Sequence, residues 1–432
     1  MKILYLHQYF NSLDMVGGTR SYEMSRYFVK SGHEVHMITS DRRADNSDKA
    51  WFQQDVDGIQ VHWFPIPYKN QMGWKRRIRA FSEYAWHAGR RAVAIGGDIV
   101  FATSTPLTVA LPGVYAAQRL TVPMVFEVRD LWPDLPIAIG ALRHPVTIWV
   151  ARRLEHYAYS HAAHVVALSP GMADGVASAG VPRHQISVIP NGCDRYLFAS
   201  AEKDGERFLS KHPYLGNGKV VVYTGMLGRI NGVGYLVDIA RHVAKHDPSI
   251  KFLVAGEGGE LEQVTARARR LDVLNRNLWI IPPLSKAAIP GLLSCATVAT
   301  SLVIDLPQLW HNSANKFFDA LAANCPIMIN YGGWQSKILK ITGAGIVVPA
   351  ANAEIAADML RAFIDNEEKL AHARRAAAQL ACMHFDRSIL AEQLLSILEY
   401  VVHINTETDP QQFMSSTAGK LELKKEENIY EN

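Results

Sequence analysis

Short apolar runs alternate along this chain with stretches of helical period, and the alternation occurs twice. The first series begins with the run at 3–6, followed by a glycine-bearing loop, a helical stretch and a second run. The second series begins with the run at 220–224 and repeats the same order. Strand, glycine loop, helix and strand in succession are typical of a Rossmann-type unit. The pattern therefore predicts an α/β protein with two Rossmann-like domains and mostly parallel sheets.

The individual runs predict seven strands in the first half and six in the second. Those of the first half are predicted at 3–6, 35–39, 59–63, 98–102, 123–128, 164–168 and 186–189. Those of the second half are predicted at 220–224, 251–255, 278–281, 297–301, 326–330 and 345–348. Apolar residues recur with a helical period over 387–403, which predicts a C-terminal helix.

The two series predict the domain organisation. We predict an N-terminal Rossmann-like domain at 1–198, a polar linker at 199–216 and a C-terminal Rossmann-like domain at 217–385. The segment 386–403 is predicted to be a helix that crosses back to the N-terminal domain, and the charged segment 404–432 a disordered tail. Two such domains facing each other across a cleft suit a ligand that carries phosphates together with a second, larger substrate.

Composition narrows the class of protein. The formal charge of +4 over 432 residues gives no reason to expect nucleic acid as a partner. The four cysteines are Cys193, Cys295, Cys325 and Cys382. Their spacing contains no C-x-x-C pair, which argues against a disulfide framework or a zinc site and favours a reducing compartment. We expect no secretory leader before the first strand and no membrane-spanning helix, since no apolar run reaches roughly 18 residues. We therefore expect a cytoplasmic protein.

The stretch 74–91 is basic and amphipathic. It contains six Lys and Arg residues against one Glu, with Trp74 and Ile78 at helical spacing. A helix of this composition either lies on an anionic membrane surface or packs on its own domain with its charges in water. The candidate membrane or acceptor surface comprises Trp74, Lys75, Arg76, Arg77 and Arg79.

A candidate ligand site lies at 314–321, which is predicted to be a helix that Asn312 or Ser313 can cap. Lys316 and Asp319 stand at i and i+3, so they share one face near the start of this helix. A helix N-terminus and a lysine attract phosphate, and a carboxylate can hold ribose hydroxyls. A surface Lys–Asp pair without any ligand gives the same pattern.

Several motifs resemble those of retaining GT-B glycosyltransferases of family 4. The matching segments are Gly17-Gly18, Val188–Asp194 with Phe198, Val254–Gly258 and Asn315–Pro326. Two further segments, Glu127–Pro133 and Asn330–Trp334, are similar to one subgroup. This subgroup contains L-fucosamine (N-acetyl-L-fucosamine) transferase-like enzymes of bacterial surface polysaccharide synthesis. The resemblance runs in the same order from residue 1 to residue 403.

The resemblance implies a GT-B fold in which the N-terminal domain binds the acceptor and the C-terminal domain binds a nucleotide sugar. A UDP-linked donor is expected, with no cofactor and no metal. A lipid-linked glycan acceptor, as in O-antigen or capsule synthesis, would bring the protein to the inner face of the cell membrane. The implied transfer proceeds with retention, and the departing phosphate takes the proton of the acceptor.

Site residues follow from the resemblance together with the chemistry of the motifs. The implied donor-binding residues are Gly17, Gly18, Arg20, Gly225, Arg229, Lys316 and Asp319. The implied catalytic residues are Asp130, at the end of a strand, and its neighbour Arg129. Asp130 would contact the reacting sugar or the acceptor hydroxyl. Alternatively, Arg129 and Asp130 pair with each other and brace the turn at Trp132-Pro133.

The chain departs from the family pattern at the donor site. Many members carry two Glu residues with seven residues between them. Here His311 stands at the first of these positions, and Asp319 matches the second. Met226 and Asn231 stand where many members have an Arg and a Lys that hold the diphosphate. The nearest cation in that loop is Arg229.

Asp55-Val56-Asp57 has the D-x-D spelling of metal-dependent glycosyltransferases. Gly58 and a strand follow it directly, so we predict a solvated turn there.

Two other functions remain open. A non-hydrolysing sugar-nucleotide epimerase also has two Rossmann domains, and it would release an epimer or free nucleotide diphosphate without any acceptor. A non-catalytic nucleotide-sugar-binding partner in a polysaccharide assembly complex fits the missing Arg, Lys and first Glu. A dinucleotide-dependent dehydrogenase is disfavoured, because neither glycine loop contains the full G-x-G-x-x-G.

Overall fold

The structure is a computed structural model that describes residues 1–42, 50–68, 72–199, 201–216 and 218–406. The chain forms two compact units. Within the described residues, the first contains Met1–Phe10, Ser21–Ile189 and the helix from Leu390 onward, and the second contains Asn11–Arg20 and Pro190–Ile389. The predicted N-terminal domain, 1–198, is therefore corrected in two places: it ends at Ile189, and the loop at Asn11–Arg20 belongs to the second unit.

Eight strands form the sheet of the first unit. They are β1 (Lys2–Leu6), β2 (Glu34–Asp41), β3 (Phe52–Val56), β4 (Ile59–Pro65), β5 (Ile99–Thr103), β6 (Met124–Val128), β7 (His164–Ala167) and β8 (Ile186–Val188). Their order is β3-β4-β2-β1-β5-β6-β7-β8, and every pair is parallel except β3 with β4. Leu4 pairs with His36 on one side and with Val100 on the other, so β1 lies at the centre.

The helices of the first unit cover this sheet. They are α1 (Arg20–Lys30), α2 (Trp74–Ile95), α3 (Ala110–Leu120), α4 (Asp134–Ala138), α5 (Pro145–Ser160) and α6 (Pro170–Ser178), with short 3-10 turns at Leu107–Val109 and Arg183–Gln185. Tyr84 of α2, Val114 of α3 and Tyr159 of α5 are buried in one hydrophobic cluster with Val100 and Phe126 of the sheet. These three helices therefore lie on the same side of the sheet.

The second unit repeats the alternation with six parallel strands. They are β9 (Val220–Thr224), β10 (Lys251–Ala255), β11 (Leu278–Ile281), β12 (Val298–Ser301), β13 (Ile327–Ile329) and β14 (Gly345–Val347), in the order β11-β10-β9-β12-β13-β14. Its helices are α7 (Ala201–Lys211), α8 (Gly234–His246), α9 (Leu261–Arg270), α10 (Ile289–Ser294), α11 (Asn315–Ala322), α12 (Trp334–Thr342), α13 (Ala353–Ile364) and α14 (Glu367–Met383). Four 3-10 turns lie at Pro213–Leu215, Arg229–Asn231, Lys286–Ala288 and Pro307–His311.

The segment predicted as a linker, 199–216, is mostly the helix α7. Gly205 suggested a flexible connection, but in the structure it lets α7 pack closely on α10. A Cβ at Gly205 would lie 2.1 Å from the Ser294 Oγ, and one at Gly291 would lie 2.8 Å from the Asp204 carbonyl oxygen. The polar residues are on the outer side of a packed helix, which is why composition alone indicated a linker.

The last helix is α15 (Arg387–Thr406), which extends past the predicted end at 403. From Leu390 onward it belongs to the first unit, which confirms the prediction that the C-terminal helix returns to the N-terminal domain. Leu394 and Leu398 are fully buried, and Glu399 lies 3.3 Å from the His33 ring. Of the predicted tail, 404–432, residues 404–406 complete this helix and the remainder lies outside the described residues.

Candidate active site

The loop after β9, residues 225–232, is here named the C-terminal glycine loop, and its backbone lies against the end of β10. Gly225 has φ +138°, and its N–H donates to the Ala255 carbonyl over 2.9 Å. A Cβ at Gly256 would lie 1.9 Å from the Gly225 carbonyl oxygen, so a side chain there would prevent this approach. The neighbouring parallel strands β9 and β10 are thus each followed by a glycine, Gly225 and Gly256. Both lie at the sheet edge where open α/β folds bind ligands.

Lys316 of α11 reaches the C-terminal glycine loop. Its side chain passes so close to Gly225 that a Cβ on that glycine would lie 2.6 Å from the Lys316 Cε. The Lys316 Nζ donates to the Asn231 Oδ1 over 3.1 Å and stands 4.7 Å from the centre of the Tyr223 ring. Burial lowers the pKa of Lys316 to about 8. An ammonium group beside a glycine-rich turn is suited to binding a phosphate.

Lys316 supplies a cation close to the two loop positions that depart from the family pattern. Those positions hold Met226, which is exposed, and Asn231, which accepts the hydrogen bond from Lys316. A positive charge therefore enters the loop from α11, close to the two positions that lack a cation. Arg229 is exposed at the start of the 3-10 turn within the same loop.

Asp319 lies one turn after Lys316 on α11 and forms a buried ion pair with Lys286. The Lys286 Nζ donates to the Asp319 Oδ1, and the two side chains are 6% and 9% exposed. Lys286 opens the 3-10 turn that follows β11. Separating the pair would leave each charge buried without a partner, so the contact holds both side chains in place.

Lys286 was not predicted from the sequence. Its one signal is that it is the single charged residue in the apolar segment 280–293. The partner on α11 is 33 residues away in the chain, so only the fold brings the two together.

The N-terminal glycine loop, residues 11–20, approaches the same 3-10 turn. The N–H groups of Lys286 and Ala287 donate to the carbonyls of Met15 and Leu13 over 3.4 and 3.3 Å. The loop that contains the implied donor-binding residues Gly17 and Gly18 therefore contacts the turn that carries the partner of Asp319. Both belong to the second compact unit.

Within the N-terminal glycine loop, Gly17 has φ +133°, and a Cβ there would lie 2.8 Å from the Asn11 Nδ2. The Asn11 amide donates to the Gly18 carbonyl over 3.3 Å, which closes the loop. Arg20 is buried, and its Nη1 donates to the Pro190 carbonyl over 2.6 Å. This contact gives Arg20 a structural role, and the donor-binding role of Gly17, Gly18 and Arg20 stays a prediction.

In the first unit, polar residues collect at the carboxyl ends of three adjacent strands. His7 follows β1, Ser104 follows β5 and Arg129 follows β6. The Arg129 N–H donates to the Ser104 Oγ over 3.0 Å, and its Nη1 lies 3.1 Å from the His7 Nε2. The chain order reverses between β1 and β5, and ligands bind at such switch points in open α/β sheets.

His7 holds the Arg129 guanidinium as a neutral acceptor. Burial, and then the charges of Arg129 and Arg42, lower the pKa of His7 well below its ordinary value. Arginine can only donate, so the His7 Nε2 accepts and the Nδ1 proton is donated to the Ser21 Oγ at 2.7 Å. His7 was not predicted from the sequence, although it is the first polar residue after a buried strand.

Asp130 follows Arg129 directly and is half-buried. Burial raises the pKa of its carboxyl to about 6, against the opposing effect of the Arg129 charge. The alternative in which Arg129 pairs with Asp130 to brace the next turn is not favoured, because the guanidinium contacts His7 instead. Asp130 is therefore a carboxyl group with a raised pKa, close to the carboxyl end of β6.

The predicted turn at Asp55 and Asp57 is confirmed. It joins β3 to β4, and the Gly58 N–H donates to the Asp55 Oδ1 over 3.0 Å. Asp57 has φ +53° and accepts a hydrogen bond from the Tyr22 hydroxyl. Across the residues that the structure describes, no group of three or more His, Cys, Asp or Glu side chains could hold a metal ion.

The candidate membrane or acceptor surface lies on α2. Four of its five side chains are exposed, namely Trp74, Lys75, Arg76 and Arg79. Arg77 is half-buried, and its Nε donates to the Met72 carbonyl over 3.0 Å. None of the helices in the described ranges combines the length and the hydrophobicity that a bilayer-spanning segment needs.

Two α/β units with polar residues at their strand ends fit the GT-B class of glycosyltransferase folds, which other two-domain Rossmann proteins share in outline. A family model of the Glycosyl transferase 4-like domain matches residues 17–192, and one of the Glycosyl transferases group 1 matches residues 205–380. The chain therefore belongs to the GT-B glycosyltransferases of family 4. This confirms the predicted fold class and the family, while the retaining mechanism and the L-fucosamine-type subgroup stay predictions.

Individual relatives agree with this assignment. The alpha-D-kanosaminyltransferase of Streptomyces kanamyceticus is 23% identical over 270 residues, which are 59% of this chain and 66% of that protein. The probable glycosyltransferase WbjE of Pseudomonas aeruginosa is 22% identical over 287 residues, which are 65% of this chain and 70% of that protein. The matches thus span about two thirds of the length of these two relatives.

Among solved structures, Anabaena HepE in complex with UDP-glucose is similar to this chain with a TM-score of 0.69. The match covers 92% of this chain and 99% of HepE at 18% identity. At this identity the likeness establishes the fold alone.

Proposed function

We propose that this protein transfers a sugar from a nucleoside diphosphate donor, with retention, to a lipid-linked glycan in cell-surface polysaccharide synthesis. The observation that carries the proposal is the arrangement on α11, where Lys316 enters the C-terminal glycine loop and Asp319 lies one turn further on. An ammonium and a carboxylate one helical turn apart match the diphosphate and the ribose of one nucleotide. HepE was solved with UDP-glucose, which supports a UDP-linked donor.

In this proposal the donor diphosphate lies beside Gly225, and the Lys316 ammonium neutralises it. Because the pKa of Lys316 is about 8, the side chain is mostly protonated at neutral pH and becomes fully so beside a diphosphate. Asp319 accepts hydrogen bonds from the ribose hydroxyls while Lys286 keeps its carboxylate in place. Further proposed donor-binding residues are Gly17, Gly18, Arg20 and Arg229.

The proposed reaction breaks the anomeric C–O bond to the diphosphate and forms a C–O bond to an acceptor hydroxyl. Negative charge builds on the departing diphosphate, so Lys316 stabilises the transition state more than the ground state. The departing phosphate oxygen takes the acceptor proton on the face that it leaves, so the reaction needs no protein nucleophile. Asp130 is proposed to contact the reacting sugar or the acceptor hydroxyl, beside Arg129.

The finer assignment rests on the motif resemblance. We place the protein in the L-fucosamine transferase-like subgroup because Glu127–Pro133 and Asn330–Trp334 resemble that subgroup. We further propose O-antigen or capsule synthesis at the inner face of the cell membrane, without a metal, a cofactor or a nucleic-acid partner.

The two alternative functions predict different products. A sugar-nucleotide epimerase would convert the donor without any acceptor. A non-catalytic binding partner would bind the donor and leave it intact, and its main support was the missing cations of the C-terminal glycine loop. Lys316 supplies one such cation, so that support is weaker than the sequence suggested.

Calorimetric titration with UDP and UDP-sugars tests the donor site. A thermal-shift screen can first select the donor, because a ligand at 100 times its Kd stabilises a protein by about 2.7 kcal/mol. Lys316→Met should weaken donor binding by about 10- to 150-fold, the loss of a charge-assisted hydrogen bond. Lys340→Met, at an exposed lysine on α12, is the matched control and should bind as the wild type does. Unchanged donor affinity in Lys316→Met would refute the proposed site.

A further inference from the structure

Three neighbouring helices of the first unit expose large aromatic side chains to solvent. Trp74 and Trp86 of α2 are 67% and 59% exposed, Tyr115 of α3 is 40% exposed and Trp149 of α5 is 60% exposed. Such rings are usually buried in a soluble domain, and a cluster of them marks an interaction surface. The sequence predicted Trp74 as part of a surface but did not indicate the other three.

On α2, four of the exposed residues follow one helical stripe. Lys75, Arg79, Trp86 and Arg90 are separated by 4, 7 and 4 residues, so they lie along one side of the helix. The opposite side is buried in the core. The Arg90 guanidinium stacks on the Trp86 ring, 3.7 Å from its centre.

On α3, the exposed stripe continues beside α2. The two helices meet at Gly89, where a Cβ would lie 2.9 Å from the Tyr115 ring and 3.3 Å from the Pro112 Cα. Trp86 is one turn before this contact on the same side of α2, so it lies on the side of α2 that faces Tyr115. Arg119, one turn after Tyr115, is placed 5.8 Å from the centre of its ring.

On α5, the outward face is apolar. Val146, Trp149 and Val150 are 60%, 60% and 51% exposed at i, i+3 and i+4 spacing, while Ala158 on the other side is buried. Arg153 lies 5.4 Å from the centre of the Trp149 ring. The helix packs against α3, and α2, α3 and α5 lie on the same side of the sheet.

Charge on the three helices is strongly one-sided. Together α2, α3 and α5 contain nine Lys and Arg residues against two Glu, and one of these, Glu155, is buried and paired with Arg152. The three helices therefore carry a net +7 of a chain whose total is +4, so the other segments together are net negative. Each of the four exposed aromatic rings has a Lys or Arg against it.

We propose that the exposed faces of α2, α3 and α5, the aromatic–basic surface, bind an anionic lipid bilayer. Trp and Tyr rings with a cation beside them suit the headgroup layer, where the ring meets acyl chains and the cation meets phosphate. In a bilayer, the exposed side chains of Val146, Val150 and Ile78 would insert among the lipid acyl chains. A nucleic acid would match the charge and leave these aliphatic side chains without a partner. The surface gives the proposed lipid-borne acceptor a route to the protein, and in that respect it rests on the proposed function.

Vesicle sedimentation tests this surface with the full chain. The wild type should bind vesicles of phosphatidylglycerol and phosphatidylcholine at low salt and fail to bind phosphatidylcholine alone. Arg79→Gln/Arg90→Gln should weaken binding by about 25-fold, since each basic residue near an anionic surface contributes about fivefold. Trp149→Ser/Val150→Ser should weaken it by at least about fivefold through lost apolar contact.

Matched controls lie elsewhere on the chain. Tyr196→Ser removes an aromatic residue that is 90% exposed in the second unit, and Lys340→Gln removes an exposed charge there. Both should bind vesicles as the wild type does. Wild-type protein that stays in solution with anionic vesicles overturns the proposal, and so does equal binding by the Trp149→Ser/Val150→Ser variant.

Donor titration separates this proposal from the proposed function. Trp149→Ser/Val150→Ser should keep the UDP affinity of the wild type. Vesicle binding by a wild type that does not bind UDP would support the surface and refute the donor site. UDP binding without vesicle binding would support the donor site and refute the surface.

Discussion

Replacing Asp319 should affect folding and donor binding through two different partners. In the structure its carboxylate forms a buried ion pair with Lys286. In the proposed function the same carboxylate holds the ribose of the donor. A single replacement therefore removes both contacts at once, and a second replacement at Lys286 is needed to distinguish them.

The magnitudes follow from burial. Asp319→Ala leaves the Lys286 ammonium buried without a counter-ion, which typically costs about 3–5 kcal/mol of unfolding free energy. The double variant Lys286→Met/Asp319→Leu removes both charges and fills the space, so most of that stability should return, because apolar pairs often match buried ion pairs. Donor affinity should not return. It should stay about 10- to 150-fold below the wild type, the loss of a charge-assisted hydrogen bond.

Urea denaturation and calorimetric titration with UDP measure the two effects separately. Asp358→Ala, at an exposed aspartate paired with Arg361 on α13, is the matched control and should change stability by less than about 1 kcal/mol. A double variant that is stable and binds UDP as tightly as the wild type would refute the ribose role of Asp319. An Asp319→Ala variant that unfolds at the wild-type urea concentration would contradict the stabilising role of the ion pair.

Three further predictions concern charge and metal. Because the pKa of Lys316 is about 8, UDP affinity measured by calorimetry should fall as pH rises from 7 to 9 and stay level in Lys316→Met, and a level wild-type profile would argue against a phosphate contact. Asp130→Asn should lower turnover by about 100-fold or more at unchanged donor affinity. The pKa of Asp130 is raised to about 6 in the folded protein, so its contribution to stability is present below the pKa of the unfolded chain and is lost as pH rises to 6. Asp130→Asn should therefore melt no lower than the wild type at pH 8. A lower melting temperature with normal turnover would indicate a bracing role. Activity should survive EDTA, whereas loss with EDTA and recovery with manganese would restore Asp55 and Asp57 as candidate ligands.

The sequence predicted most directly the strands that are buried apolar runs, such as β1, β5 and β9. It missed β3, since Phe52–Val56 is an exposed edge strand with polar residues and no apolar run. It also mistook α7 for a linker, because a glycine inside a polar stretch is usually a sign of irregular chain. Gly205 is instead required by the close contact with Ser294, which no local pattern reveals.

The site was predictable where its members share one element. Lys316 and Asp319 are three residues apart on one helix, so their common face could be inferred from spacing. Their partners could not, since Lys286 is 33 residues before Asp319 and His7 is 122 residues before Arg129. These contacts depend on strand order, which brings distant strand ends to one edge of a sheet.

The central claim, retaining glycosyl transfer, is tested most directly by following the sugar. The protein is incubated with the UDP-sugar selected by thermal shift and a lipid-linked glycan, and the product is examined by mass spectrometry and by NMR of its anomeric proton. We expect one added sugar per acceptor, one UDP released per transfer, and the anomeric configuration of the donor. An inverted linkage would contradict retention. An epimerised or unchanged donor with no modified acceptor would contradict glycosyl transfer itself.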